Sequence, residues 1–257
     1  MMKTDEFDRL VPRTTLFSLY LPVRKVQVYL CIVLASFLIM ASMTSSVHAA
    51  TSNDPFENVN RVTYKFNQIL DRVFFKPAAK TYGRITPAFA KKGIRNFFRN
   101  LDDVRIIFNE VLQLKFDHAA SDIGRLAVNS TLGLGGLIDV AEPVFNLEKH
   151  NEDFGQTLAY WHVPAGPYLV LPFFGPGTLR DSTSLVVDSL VHPIPRTDHV
   201  ETRNALITSD VIDFREAILS FDELITGDEY LFVREWYLQH REYLNNDGNA
   251  QVSFVEF

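Results

Sequence analysis

The chain has 257 residues, a net charge of -6 at pH 7, 21 Phe and a single Cys. That length suits one domain with a substantial core. An acidic balance without a clustered basic patch argues against nucleic acid as the main partner, and a lone Cys31 excludes an intrachain disulfide or a cysteine-built metal site.

Residues 1–25 are polar and mixed and end in Arg24 and Lys25, and Val28 to Met40 is almost continuously apolar. Val47-His48-Ala49 then places small residues at the -3 and -1 positions of a cleavage site. A basic region, an apolar run and a small-residue end read as a secretory signal peptide cleaved after Ala49. The run is shorter than the roughly 20 residues a spanning helix needs. We expect residues 1–49 to be the signal, 50–248 one helical domain and 249–257 a flexible tail.

Ser52 to Phe56 reads as a helix start, with Asn53 or Asp54 as N-cap and Pro55 near the first helical position. Phe56, Val59, Thr63, Phe66, Ile69 and Leu70 follow at helical spacing. Pro77 and Pro87 bound a short connecting stretch. Ile94 opens a second helix with Phe97, Phe98, Leu101, Val104, Arg105, Phe108, Val111 and Leu112 along one side. Ile106, Ile107, Leu114 and Phe116 widen its stripe, so it is buried in protein, in lipid, or partly in each. Asp117 caps a third helix, in which Arg125 and Asn129 form an i, i+4 polar pair. Gly133, Gly135 and Gly136 end it and permit hinge motion. Thr178 to Leu190 is a short helix, and two more lie near Arg203 to Ile225 and Asp228 to Leu244.

The stretch from Phe154 to Asp181 is unusual. Pro164, Pro167, Pro172 and Pro176 remove backbone donors and fix φ, so no regular helix can cross it. Yet it is dense in Tyr, Trp, Phe, Leu and Val. Irregular apolar backbone is tolerated where it is buried in protein or lines a water-filled cavity. We read it as the wall of a cavity or channel, with Asp153 capping a helix from Phe154 to Trp161.

Enzyme signatures are missing. There is no G-x-S-x-G elbow for a lipase nucleophile and no H-E-x-x-H zinc helix. His192 and His199 are separated by two prolines and read as surface residues, so no metal and no cofactor is expected. One polar constellation stands out. Asp181, Ser184 and Asp188 fall at i, i+3 and i+7 on one helical face, with Arg180 beside them. The face reads either as a hydrated channel wall or as an ordinary solvated face with an acid near the helix N-terminus. On the residues alone the second reading is preferred.

Phe154-Gly155-Gln156-Thr157-Leu158, Gly166-Pro167-Tyr168-Leu169-Val170-Leu171-Pro172, Gly175-Pro176 and Arg180-Asp181 together resemble the signature of the VacJ/MlaA family. Asn53-Asp54-Pro55-Phe56-Glu57, Asn60-Arg61, Phe66-Asn67, Lys76-Pro77, Asn96-Phe97-Phe98, Asn100-Leu101 and Asn129-Ser130-Thr131-Leu132-Gly133 fit in the same order. So do Gly135-Gly136, Asp139-Val140-Ala141, Phe232-Val233-Arg234, Tyr237-Leu238-Gln239 and Asp247-Gly248.

The resemblance implies an all-α, ring-like domain of amphipathic helices around a polar channel, embedded in one leaflet of the outer membrane. It implies phospholipid transport in the Gram-negative envelope rather than an enzyme. Phospholipids mislocalised in the outer leaflet would pass to a periplasmic carrier protein, with trimeric porins as membrane partners. It also reverses the reading of the polar face. Arg125, Asn129, Asp139, Gln156, Arg180, Asp181, Ser184 and Asp188 become lipid-channel candidates, and Gly133, Gly135 and Gly136 hinge candidates. Many relatives carry a lipidated cysteine after a Leu-Ala-Gly-like box. Cys31 follows Val28-Tyr29-Leu30 inside the apolar run and does not fit it. The competing class is a soluble periplasmic binding or scaffold protein, with a lipid hydrolase a distant third.

Overall fold

The structure is a computed structural model that describes residues 54–223 and 225–248. The expected signal peptide, Cys31, Asn53 and the tail 249–257 lie outside the described residues. Described helices are α1 (Glu57–Leu70), α2 (Lys76–Ile85), α3 (Ala88–Leu112), α4 (Phe116–Thr131), α5 (Ala141–Phe145), α6 (Phe154–Tyr160), α7 (Leu179–Val191), α8 (Val200–Ala217) and α9 (Glu229–Asn245). One two-stranded antiparallel hairpin interrupts them, β1 (Tyr168–Leu171) with β2 (Gly175–Thr178), in register Tyr168 to Thr178 and Leu171 to Gly175. The domain is therefore helical, as expected. None of its described helices is long and apolar enough to cross a membrane.

Several boundaries differ from expectation. α1 begins at Glu57 behind Phe56, because Asp54 accepts from the Phe56 amide (3.0 Å) and holds a turn before the helix. Pro77 does not mark a connection. A π-helical turn, Asp71–Phe75, joins α1 to α2, and its wider ring precedes a residue that has no N–H to give. α3 starts six residues before Ile94, directly after Pro87. Lys115, not Asp117, stands at the start of α4, and Asp117 lies in its first turn, where an acid suits the helix dipole. The expected helix to Ile225 ends at Ala217 and gives way to a 3-10 turn, Leu219–Glu223.

The proline-rich stretch contains a hairpin rather than wholly irregular backbone. Its free edge is satisfied by side chains. Asn60 donates to Tyr168 O (3.0 Å) and accepts from Val170 N (2.9 Å). One heptad on, Asn67 donates to Leu171 O (2.9 Å) and accepts from Phe173 N (2.8 Å). Two amides on one face of α1 thus serve as a third strand and leave no open ladder. Tyr168, Val170 and Tyr230 pack beneath, with Tyr64, Tyr237 and Leu238 against them.

Elsewhere the usual partition is inverted. In α3 the buried residues include Asn100, Asp103, Asn109 and Glu110, while Phe108 and Val111 are exposed. In α4, Asp122, Arg125 and Asn129 are buried and Ile123 and Leu132 exposed. Among the described residues, polar and charged side chains outnumber apolar ones in the fully buried set. Exposed single apolar residues are ordinary, but buried polar groups call for explanation. The wide apolar stripe read in α3 is real, and much of it faces outward.

Candidate functional site

Five elements converge on a cavity of about 290 Å³. Thr178 caps α7 by accepting from the Asp181 amide (3.2 Å), which fixes the rotation of the helix. Its buried face then carries Asp181, Ser184 and Asp188 to the cavity. α3 contributes Arg105, α9 contributes Tyr237 and Arg241, and Asp153 lies at the start of α6. The hairpin closes the rim with Leu171, Phe174 and the Gly175–Gly177 segment, so the proline-rich stretch is a cavity wall.

The wall is a network of opposite charges. Asp181 accepts from Tyr237 Oη (2.8 Å), Arg241 Nη2 (3.0 Å) and Arg180 Nε (3.1 Å). Arg241 also forks onto Asp153, with Nη2 to Oδ1 at 3.0 Å and Nη1 bonded to Oδ2. Asp153 accepts from the Gln156 amide as the N-cap of α6, as expected. Asp188 accepts from Asn109 Nδ2 (3.0 Å) and from the Phe154 amide (3.2 Å). Gly155 is required by close approach. A Cβ there would stand 2.5 Å from Asp181 Oδ1 and 2.8 Å from Arg241 Nη2.

The environments set the two end carboxylates apart. Burial raises the Asp188 carboxyl to about 6, against the pull of Arg105. Burial also opposes ionisation of Asp153, but the hydrogen bond and charge of Arg241 and the Gln156 amide together hold it below the usual range. At neutral pH the cavity therefore carries fixed charge of both signs. Such a lining accommodates a zwitterionic or anionic group that bare apolar walls would exclude.

The other candidates lie elsewhere. Arg180 is buried, bonded to Asp181 and to Val163 O (3.3 Å), and does not line the cavity. The guanidinium groups that line the cavity are those of Arg105 and Arg241 instead. Gln156 is buried and donates to Asn151 O (3.0 Å), bracing the loop before α6. Arg125, Asn129 and Asp139 form a separate cluster. Arg125 Nη2 and Asn129 Nδ2 donate to Asp139 (3.2 and 3.0 Å), and Asn129 Oδ1 accepts from the Val140 and Ala141 amides (2.8 and 2.9 Å). They surround a void of only about 10 Å³.

That cluster braces the glycine turn. Gly135 and Gly136 have φ of +71° and +89°. A Cβ on Gly133 would stand 2.1 Å from Ile138 O, and one on Gly136 2.7 Å from Asn100. Gly135 has open space, so only its φ demands glycine.

Sequence reading missed Arg105, Tyr237 and Arg241 and read Asp153 only as a cap. Arg105 interrupts the apolar stripe of α3, which was a usable sign. Tyr237 and Arg241 stand one helical turn apart on α9, a spacing common on solvated faces, and only the fold shows them buried.

Comparison with known proteins gives a consistent result. Residues 52–244 match the model for "MlaA lipoprotein". An uncharacterized protein, RP093, of Rickettsia prowazekii (strain Madrid E) is 34% identical over 193 residues, 74% of this chain and 76% of its own length. The "Intermembrane phospholipid transport system lipoprotein MlaA" of Escherichia coli (strain K12) is 31% identical over 225 residues, 85% of this chain and 88% of its own. A solved chain from "Structural basis for maintenance of bacterial outer membrane lipid asymmetry" superposes with a TM-score of 0.67 at 32% identity, covering 76% of this chain and all of that one. Matched along most of its length in sequence and in fold, this chain belongs to the MlaA lipoprotein family.

Proposed function

We propose that the chain transports phospholipid between the membranes of a Gram-negative envelope and so maintains outer-membrane lipid asymmetry. In this reading the helical domain lies as a ring in the inner leaflet of the outer membrane. Phospholipid from the outer leaflet enters head group first, crosses the polar cavity and leaves to a periplasmic carrier protein. Trimeric porins hold the ring in place, and the mature chain follows signal cleavage after Ala49 without an acyl chain. The role is passive, without a catalytic step. The intermembrane phospholipid transport named for the Escherichia coli relative and the outer-membrane lipid asymmetry named for the solved chain support this reading.

One observation carries the reading. A cavity lined by Arg105, Asp153, Asp181, Asp188 and Arg241 lies inside a domain that turns large apolar residues outward. Phe173 and Phe174 at the hairpin tip are each 72% exposed, and Phe66 of α1 meets Phe173 edge to face at 5.4 Å. A patch of this kind is stable against hydrocarbon and a liability in water.

Leu185 lines the cavity and is 40% exposed, so a larger side chain there can narrow the passage without overfilling a core. A deletion strain carrying Leu185→Trp should accumulate surface-labelled phospholipid and become sensitive to detergent with chelator, at normal protein abundance. Full complementation would refute passage through this cavity. Release of the wild-type chain from membranes by carbonate and high-salt washes would favour the scaffold reading. Mass spectrometry of the mature N-terminus tests cleavage and acylation together.

A further inference from the structure

A second polar site lies where the end of α3, the start of α4 and the loop before α6 meet, away from the residues that line the cavity. Glu110 stands in the last turn of α3 and is fully buried, yet neither of its carboxylate oxygens accepts a hydrogen bond. His118, in the first turn of α4, has a buried Nδ1 that is likewise without a hydrogen-bond partner. His150, in the loop, stacks on His118 with ring centroids 4.0 Å apart and turns Nδ1 toward Glu110 Oε1 at 3.5 Å. One ligand atom from each of the three lies within 4.8 Å of the other two. Asp122, also fully buried, holds His150 Nδ1 at 2.8 Å, and its Oδ1 lies 3.7 Å from Arg125 Nε without a hydrogen bond.

Leaving such groups unpaired in a dry seam costs the full desolvation of each. Glu110 and Asp122 also place two acids side by side, and burial with the Asp122 charge pushes the Glu110 carboxyl well above the usual range. A single cation answers all of these defects together. Two bonds of about 2.0–2.1 Å to a tetrahedral ion set ligand atoms roughly 3.3 Å apart. The His150 Nδ1–Glu110 Oε1 separation of 3.5 Å is close to that value, and binding would turn the His118 ring out of its stack on His150 so that both imidazoles face the ion.

We propose that Glu110, His118 and His150 bind one divalent cation of the zinc class, with Asp122 beside it as fourth ligand. Two imidazoles with carboxylate suit zinc or another first-row ion better than calcium or magnesium, which take oxygen alone. The role is structural. The ion clips three segments together, and His150 lies three residues before Asp153, whose carboxylate pairs with Arg241 at the cavity. It therefore fixes the loop that delivers one wall of the passage.

The test uses the full chain, purified in detergent without a polyhistidine tag, stripped with chelator and titrated with zinc chloride. We expect one equivalent per chain, a raised melting temperature, and an X-ray absorption spectrum with two imidazoles in the first shell. His118→Gln and His150→Gln should each weaken binding by about 100-fold or more while retaining the circular dichroism of the apo parent. Absence of stoichiometric binding, a shell without two imidazoles, or undiminished affinity in both folded variants would overturn the proposal. The absorption spectrum of the unaltered chain decides the matter should a variant fail to fold.

Discussion

Around the cavity, Asp153, Asp181 and Asp188 face Arg105 and Arg241 across about 290 Å³. Under the glycine turn, Arg125 and Asn129 close on Asp139 around about 10 Å³. Both regions bury the same kinds of side chain. They differ in how many elements arrive and in what the backbone demands. At the cavity, α3, α6, α7, α9 and the hairpin each supply part of the wall. At the turn, Asn129 bonds two successive amides and Arg125 reaches Leu147 O and Asp139, so the polar atoms are consumed by nearby backbone. Of these two regions, buried charge borders open space only where its partners stand on separate elements.

The largest test removes one cation from each region. Arg241→Met takes the cationic partner from Asp153 and one of two from Asp181, and Arg125→Met takes the cationic partner from Asp139. Each should cost about 3–5 kcal/mol in denaturant unfolding, the usual penalty for breaking a buried pair. Normalised to folded protein, transport should fail in Arg241→Met and persist in Arg125→Met. Equal loss in both would erase the distinction between passage and brace.

Asp188 sharpens the comparison through pH. Its carboxyl titrates near 6 folded and near 3.8 in the ordinary state. Between those values the folded chain holds a proton that the unfolded chain has released, so stability falls as pH rises from about 4 to 6 and is level above. The span corresponds to at most about 3 kcal/mol. Asp153 acts in the opposite sense, its contribution being lost as pH falls through its lowered value. Asp188→Asn should therefore flatten the decline between pH 4 and 6, measured by unfolding at a series of pH values.

Gly155→Ala probes crowding within the network. Its Cβ would press on Asp181 and Arg241, and we expect a loss of about 1–3 kcal/mol with weakened transport. The smallest effect belongs to the turn. Gly135→Val meets open space and only a φ penalty of about 1–2 kcal/mol, so stability should fall slightly. Transport lost beyond that change would identify the turn as a hinge; transport retained would leave it a helix terminator.

Helix identity was legible in the sequence because apolar spacing and caps such as Asp153 and Thr178 are local. The i, i+3, i+7 face of α7 was legible for the same reason, and the structure buries it at the cavity. Pro77 misled because a π-turn absorbs what a proline ordinarily ends, and nothing in the local residues announces that turn. Arg180 misled because adjacency on the chain placed it with Asp181, whereas its guanidinium is held by Asp181 and Val163 O. Arg241 was invisible because its partners lie 60 and 88 residues away. Polar residues on a helix read the same whether water or another helix faces them, and only convergence in space separates the cases.

The two asparagines of α1 bear on how force travels. Each makes a paired bond to the edge of β1, so α1 cannot slide or turn without carrying the hairpin along. The turn of the hairpin carries the exposed pair Phe173 and Phe174, and Phe174 with Leu171 and the Gly175–Gly177 segment also forms the rim of the cavity. Helix, hairpin tip and rim therefore form one connected unit, in which the most exposed aromatic residues stand within a few positions of those that line the cavity. Whatever holds the exposed tip also holds the rim, with no intervening hinge between them.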